Sequence, residues 1–421
     1  MTMSAQLRVV TLNCWGLFLI SKDREKRMQC IGDELARGRY DIVALQEVWM
    51  ERDYRSICEK VQDVLPYQHY FHSGLLGSGM CVLSKWPILD VMTHRYSLNS
   101  YAHHVLEGDW FAGKAVCLAT LQVQDLRVNV YTTHMAAVYA AHDNLLADDL
   151  FTHRLLQSYE LSEFVRMSGG GAGGGGADVS LVMGDFNQEE GSLALRVARA
   201  NAGLRDAWLD QPQTGQDQRC WTVNAHDNCY TPVKPKVPES RIDYVLYRAQ
   251  GDCRVTCREC RVVFEKIPGT SMNYSDHNGV EALLDLSRDR DDGPTSSCES
   301  EECLPLLQDI LPHVDRAIQT TRRERLNYLA TSSLVWLLLV SLWLAGLAEW
   351  GSGGTGLAGP ASPLAALLVV VVLVVAGTGA LCLGAAVKTT EVNQLVGGRL
   401  DVALRVRRLE DAEKPSKTHE A

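Results

Sequence analysis

The segment ASPLAALLVVVVLVVAGTGALCLGAAV, residues 361–387, contains no charged residue, and a second run from Leu329 to Ala348 is equally free of charge. Crossing the bilayer hydrocarbon takes about 20 apolar residues. A core helix of a soluble protein keeps a polar stripe, whereas these runs are apolar all round. They are therefore read as two transmembrane helices, about 329–348 and 364–387. Arg322, Arg323 and Arg325 precede the first, and Lys388, Arg399, Arg405, Arg407 and Arg408 follow the second. The connecting GSGGTGLAGP has no Lys or Arg. The positive-inside bias places both flanks in the cytosol. The expectation is a helical hairpin that holds a cytosolic N-terminal domain at a membrane, with a cytosolic tail over 388–421.

The remaining chain divides by composition. Residues 1–287 have the mixed character of a globular domain large enough to bury a substantial core. SRDRDDGPTSSCESEE opens a polar stretch, 288–327, read as a linker. The net charge is -10, with no basic run in the first domain, which argues against a protein that grips nucleic acid by its phosphates. MTMSAQLRVVTLNCW lacks the basic start and long apolar run of a secretory signal. The 13 cysteines follow no framework and read as free thiols of a reducing compartment. Cys253, Cys257 and Cys260 lack a fourth ligand at zinc-finger spacing, so a zinc site is set aside.

Within the first domain, RVVTLNCW (8–15), YDIVALQEVW (40–49), MCVLSKWPI (80–88), WFAGKAVCLATLQV (110–123) and RVNVYTTH (127–134) read as strands. DVSLVMGDFN, RIDYVLY and HNGVEALLDL supply later ones. One helix is expected after an N-cap at Ser21, running to Gly38, and another over about 152–167. GGGAGGGG (169–176) runs from helix to strand and has no Lys, so it is a flexible tether and not a phosphate loop. Helices are too few for a wholly parallel sheet, and mixed sheets packed face to face with helices outside fit better. GLFLIS (16–21) is expected to pack as a loop, the alternative being an apolar tip that enters lipid.

Polar residues capable of chemistry recur where these apolar strands begin or end: Asn13, Glu47, His134, Asp185, Asn187, Asp243, Asp276 and His277. Singly, each fits a solvated strand end or an Asx turn. Together they line one edge of packed sheets. Acid and amide oxygens with no Cys–His cage suit Mg²⁺. Two histidines supply proton transfer near neutral pH. This is the equipment for water attack on phosphorus. Asp185 and Asn187, two apart in an extended segment, are expected to face the same way.

In this order, LNCWG, LQEVW, TTH, GDFN, RIDYVLY and SDH resemble the endonuclease/exonuclease/phosphatase superfamily over about residues 7–287. GSGMCVLSKWPI, GDWFAGKAV and the two membrane segments resemble its neutral sphingomyelinases, of the two-span animal type. The resemblance implies a deoxyribonuclease I-like four-layer α/β/β/α sandwich of two mixed sheets. It implies Glu47 as principal Mg²⁺ ligand with Asn13 in support, His277 as general base and Asp243 as its orienting partner. It implies Asp185 and Asn187 on the scissile phosphate and nucleophile, and His134 on the transition state. Asp276 either reaches the metal or positions His277. Asp109 and Lys114 resemble a gating pair, set against a plain surface ion pair worth at most about 1 kcal/mol.

The implied activity is Mg²⁺-dependent hydrolysis of sphingomyelin to ceramide and phosphocholine, at the endoplasmic reticulum or nuclear envelope. A lysophospholipid such as lyso-platelet-activating factor is the alternative substrate of the same chemistry. A nuclease is a more distant reading, disfavoured by the acidic charge and the membrane segments.

Overall fold

The structure, a computed structural model, describes residues 4–18, 20–104, 108–139, 148–170, 176–212, 220–235, 238–288, 302–351 and 363–413. The strands are β1 (Ser4–Asn13), β2 (Ile42–Gln46), β3 (Tyr67–Phe71), β4 (Met80–Ser84), β5 (Ile88–Arg95), β6 (Ala115–Val123), β7 (Leu126–His134), β8 (Val179–Asp185), β9 (Arg205–Asp206), β10 (Asp243–Ala249), β11 (Cys253–Val263) and β12 (Gly279–Arg288). The helices are α1 (Arg24–Leu35), α2 (Glu51–Val61), α3 (Asp109–Ala112), α4 (Phe151–Gly169), α5 (Leu193–Ala202), α6 (Ala207–Asp210), α7 (Cys303–Gly351), α8 (Pro363–Cys382) and α9 (Lys388–Glu413).

The strands form two six-stranded sheets, ordered β11-β12-β1-β2-β4-β3 and β5-β6-β7-β8-β10-β9. Each is antiparallel except for one parallel pair, β1 with β2 and β7 with β8. Alternation along the strands builds three apolar layers. On β1, Val9 faces the other sheet while Val10 faces α1 and α2. On β8, Met183 points between the sheets while Val182 packs toward α4 and α5. Strands buried on both faces read as unbroken apolar runs, and this is why they were visible in the sequence. The result is the expected helix–sheet–sheet–helix sandwich, within a compact unit Met1–Leu307.

Several local expectations change. WFAGKAVCLATLQV does not run as one strand: residues 109–112 form a helical turn, closed by Gly113 at φ +65°, before β6 begins. α1 starts at Arg24 behind Asp23, which makes no cap; the Asp23 carboxylate accepts from the Tyr230 hydroxyl at 3.2 Å instead. Phe18 and Ile20 are 58 % and 67 % exposed rather than packed, and Leu19 lies outside the described residues. Cys253, Cys257 and Cys260 are buried free thiols of the inter-sheet core, the first two by alternation along β11 and Cys260 through the bulge after Cys257. Of the glycine tether, residues 171–175 lie outside the described set.

In the second unit, Gln308–Ala421, the described residues are helical. Two of its helices are long and apolar enough to cross a membrane. Ser332 Oγ donates to the Gly377 carbonyl at 2.8 Å and ties them together. Residues 303–327, polar in composition, are helical and continuous with the first apolar segment. Within this unit, antiparallel pairing of α7 with α9 is marked by Gln308–Glu410, Asp315–Arg399 and Thr321–Glu391. A five-residue π-helical stretch, Leu383–Val387, joins α8 to α9. Residues 352–362, most of the inter-helix connection, lie outside the described set.

Candidate active site

Strand register assembles the site. The parallel pair β1–β2 sets Asn13 beside Gln46, and Glu47 follows directly. The parallel pair β7–β8 sets His134 beside Asp185, and antiparallel β10 sets Asp243 on the other side of Asp185. His277 lies two residues before Gly279, the first residue of β12. All these strands deliver polar residues to one edge of the sandwich.

The side chains interlock. Asn13 Nδ2 donates to Glu47 Oε1 (3.2 Å) and to Asp185 Oδ2 (3.0 Å), and Asn13 Oδ1 accepts from the Trp15 amide (3.0 Å). His277 Nδ1 donates to Asp243 Oδ2 at 2.9 Å, which leaves its Nε2 free of that pairing. The Asp243 and Ile242 amides both donate to Thr222 Oγ1, fixing the start of β10. Lys114 Nζ lies 3.1 Å from Asp109 Oδ1 and donates to His134 Nε2 at 2.7 Å. The second Asp109 oxygen accepts from the Ala137 amide at 2.8 Å. Asp109 and Lys114 are both more than nine-tenths buried, so the plain surface ion pair does not describe them.

Asp185 and Asn187 do not share a face through extended backbone. Asn187 sits in the left-handed region at φ +49°; its amide donates to Asp185 Oδ1 (2.9 Å) and its Nδ2 to the Met135 carbonyl (3.0 Å). Glu47 (φ +58°) and Trp15 (φ +46°) are left-handed too. Three non-glycine residues in this costly region border one site, a concentration typical of functional positions.

Burial and neighbours separate the ionisable groups. Burial disfavours charge on His277, but hydrogen-bonded Asp243, then Asp185 and Asp276, outweigh it and hold the imidazole well above 6.5. His134 is pushed well below 6.5 by burial, then by the Lys114 ammonium. Asp185 is raised to about 6 by burial and by Asp243. Asp276 is also raised to about 6, by burial, partly offset by His277 and reinforced by Glu47.

Two acid groupings could therefore hold a divalent cation. Asp185, Asp243 and His277 present ligand atoms within 4.8 Å of one another, although His277 Nδ1 is engaged with Asp243. Glu47 and Asp276 are close enough to repel, and Asn13 lies beside Glu47, to which it turns its Nδ2 while its Oδ1 accepts from the Trp15 amide. Its two carboxylates offer only oxygen, and using them leaves the Asp243–His277 hydrogen bond intact.

Four groups escaped sequence reasoning. Gln46 bridges the sheets: it accepts from Thr11 Oγ1 and donates to Thr132 Oγ1, each at 3.1 Å. Its signal was a lone amide inside a wholly buried strand. Arg27, fully buried, donates to the carbonyls of Cys14, Trp15 and Tyr274, bracing the turns that carry Asn13 and Asp276. Trp49 Nε1 donates to Glu47 Oε2 at 3.3 Å, and Thr222 anchors Asp243. Arg27 and Thr222 act on segments distant in sequence, which leaves no mark in a motif.

The chain belongs to the Endonuclease/Exonuclease/phosphatase family, whose profile matches residues 10–277. Among curated relatives, a sphingomyelin phosphodiesterase 2 of Mus musculus is 35 % identical over 321 residues, covering 75 % of this chain and 73 % of its own. A sphingomyelin phosphodiesterase 2 of Homo sapiens is 36 % identical over 284 residues, covering 67 % and 65 %. Among solved structures, TDP2 of C. elegans superimposes with a TM-score of 0.51 at 20 % identity, covering 68 % of this chain and 75 % of that one. At that identity the likeness concerns the fold alone.

Proposed function

We propose that this chain is a membrane-associated sphingomyelin phosphodiesterase that releases phosphocholine and ceramide. The observation that carries the reading is the Asp243–His277 pair facing Asp185 and Asn13 at one sheet edge, in a chain 35 % identical to a sphingomyelin phosphodiesterase.

Asp243 holds the Nδ1 proton of His277, so the neutral ring presents a basic Nε2 to water. The water loses its proton to His277 as it attacks phosphorus, and the bond to the ceramide oxygen breaks. Asn187 and Asp185 position the phosphate and the nucleophile. His134, kept neutral by burial and Lys114, adds no charge to the phosphate until Lys114 releases its Nε2. The Asp109–Lys114 pair thus acts as a gate, because the cation that caps His134 is also held by Asp109.

Glu47, with Asn13 and Asp276, would hold Mg²⁺. When bound, the ion would neutralise charge on the phosphate oxygens and assist the leaving alkoxide. The catalytic domain and both ends of the helical hairpin face the cytosol, as the arginines before the first span and the Lys/Arg after the second support.

The test is phosphocholine release from sphingomyelin by the purified full chain, with Mg²⁺ or EDTA, beside His277→Ala. Release that needs Mg²⁺ and vanishes in the variant is expected. Equal release by the variant would sink the assignment of the base. No release from sphingomyelin, with release from lyso-platelet-activating factor, would move the substrate but keep the chemistry. Protease treatment of sealed vesicles with the cytosolic face outward should digest the catalytic domain; its survival would reverse the topology.

A further inference from the structure

Strand register gathers three loops at the edge of the sandwich that carries the site. β1 and β2 end there, β4 begins beside the end of β2, and β3 ends opposite Met80. β6 begins there too, with Ala115 opposite His134. The loop after β1 exposes Phe18 and Ile20. The loop between β3 and β4 exposes Leu75 and Leu76, at 75 % and 51 %. The turn α3, just before β6, exposes Trp110 at 38 %. Apolar side chains scattered singly over a surface need no explanation, but several on adjoining loops mark an interaction surface.

The second and third of these loops are joined. The amides of Leu75 and Leu76 both donate to the Phe111 carbonyl, at 2.9 and 3.0 Å. Gly74 (φ +58°) and Gly113 (φ +65°) pack backbone against backbone; a Cβ on Gly74 would stand 2.7 Å from the Gly113 nitrogen. Leu75, Leu76 and Trp110 are therefore carried by one joint. SGLLGS (73–78) and WFA (110–112) hold no charged residue, so moving them out of water strips no ion of its hydration. Leucine supplies apolar area, and tryptophan suits the boundary between hydrocarbon and headgroups. A bilayer is the partner that fits. The same chain carries two helices long and apolar enough to cross one, and the proposed substrate is a membrane lipid.

The joint also reaches the gate. Phe111 lies between Asp109 and Lys114. The Lys114 carbonyl is fixed by the Tyr96 amide at 3.1 Å and by Asn99 Nδ2 at 2.8 Å. Asp109 instead opens the turn whose Phe111 carbonyl the leucine loop holds.

We propose that Leu75, Leu76 and Trp110 form an interfacial surface that enters the bilayer, and that this contact sets the Asp109–Lys114 gate through the Phe111 carbonyl. Displacing the loop moves the turn and Asp109 with it, while Lys114 stays with the sheet. The bilayer contact stands apart from the choice of substrate; its effect on turnover rests on the gate described above.

The experiment uses the full chain in nanodiscs of phosphatidylcholine with a varied fraction of sphingomyelin. An environment-sensitive fluorescent amino acid is placed at Leu76 or, as control, at Met167, an exposed residue near the end of α4 that leads to the opposite edge. Doxyl-labelled phosphatidylcholine should quench the probe at 76 and not at 167. The double variant Leu75→Gln, Leu76→Gln and the separate Trp110→Gln should each keep a Tm near wild type, because the side chains are exposed. The double variant should lower kcat by about tenfold, within the usual span for coupled sites, and Trp110→Gln by less. Absence of quenching at 76 would overturn the proposal and leave the surface to a protein partner. A raised KM with kcat unchanged in both variants would show docking that does not move the gate, and would overturn the link. If the wild type releases nothing from sphingomyelin, the substrate assignment fails by itself; quenching still decides the contact, and kcat is read on lyso-platelet-activating factor.

Discussion

Two buried histidines stand at the same edge of the sandwich, and their surroundings drive them apart. His277 is faced by Asp243, Asp185 and Asp276 and is held well above its ordinary value. His134 receives the Lys114 ammonium at 2.7 Å and is held well below it. Both are buried to a similar degree, so desolvation alone does not separate them. The difference lies in the sign of the neighbouring charge. One histidine is equipped to take up a proton and the other to remain neutral. Groups whose environments push them in opposite directions are how one fold separates its acid–base roles.

The harshest way to break this contrast is to remove the proton acceptor. His277→Ala should lower kcat by about 10²–10⁴-fold, the range for loss of general base catalysis, and lower Tm as well, because buried Asp243 loses its partner. Steady-state turnover beside thermal unfolding measures both.

Asp243→Asn removes the first charge that favours protonated His277, and it also loosens the ring's tautomer. Turnover should fall by at least about 10²-fold. The residual activity is informative. The base works when neutral, so the rate rises as pH climbs through the His277 pKa. Removing Asp243 lowers that pKa and should move the rising limb to lower pH. The stability change has its own sign: a raised histidine stabilises the fold below its unfolded value of about 6.5, and that contribution fades as pH rises through the folded value. The Tm difference between wild type and Asp243→Asn should therefore be larger at pH 6 than well above the folded value. An unmoved rate limb would mean that Asp243 does not set the proton affinity of His277.

The contrast between the histidines was only half legible beforehand. His277 and Asp243 were readable as polar residues beside the strands of RIDYVLY and HNGVEALLDL, and their pairing only through the family resemblance that these motifs carry. Strands buried on both faces, such as β2 and β8, were readable as apolar runs. Edge strand β5 was not, since its exposed residues show no apolar face. Asp109 and Lys114 were readable as a spaced pair, but not as buried groups that reach His134; that depends on the helical turn and Gly113, hidden within what read as one strand. Arg27 acts through carbonyls of segments remote in sequence, so no local pattern could announce it, and Gln46 showed only as a lone amide in an apolar strand, without its partners Thr11 and Thr132.

Lys114→Ala tests the other half of the comparison. With the ammonium gone, His134 Nε2 becomes free to meet a phosphate oxygen, and Asp109 loses its cation. If the pair is a gate, turnover falls because the cation shared between Asp109 and His134 is gone and Asp109 is left buried without it, while His134 becomes easier to protonate. Burial still acts on the ring, so His134 should stay below 6.5 in the variant. Histidine NMR signals followed across pH read this directly. Unchanged turnover with a shifted His134 would remove the gate and keep the electrostatics.

The smallest effect should come from the bridge beneath both histidines. Gln46 ties Thr11 of the first sheet to Thr132 of the second. Gln46→Leu leaves the hydroxyls of Thr11 and Thr132 without that partner in a wholly buried layer, at a cost of about 1–3 kcal/mol. Neither histidine loses a charged neighbour, so the pH profile should keep its shape while Tm falls. If the rate limb moved as well, the spacing between the sheets would be part of what sets His277 against His134. The charges around each ring would then not suffice to explain the contrast.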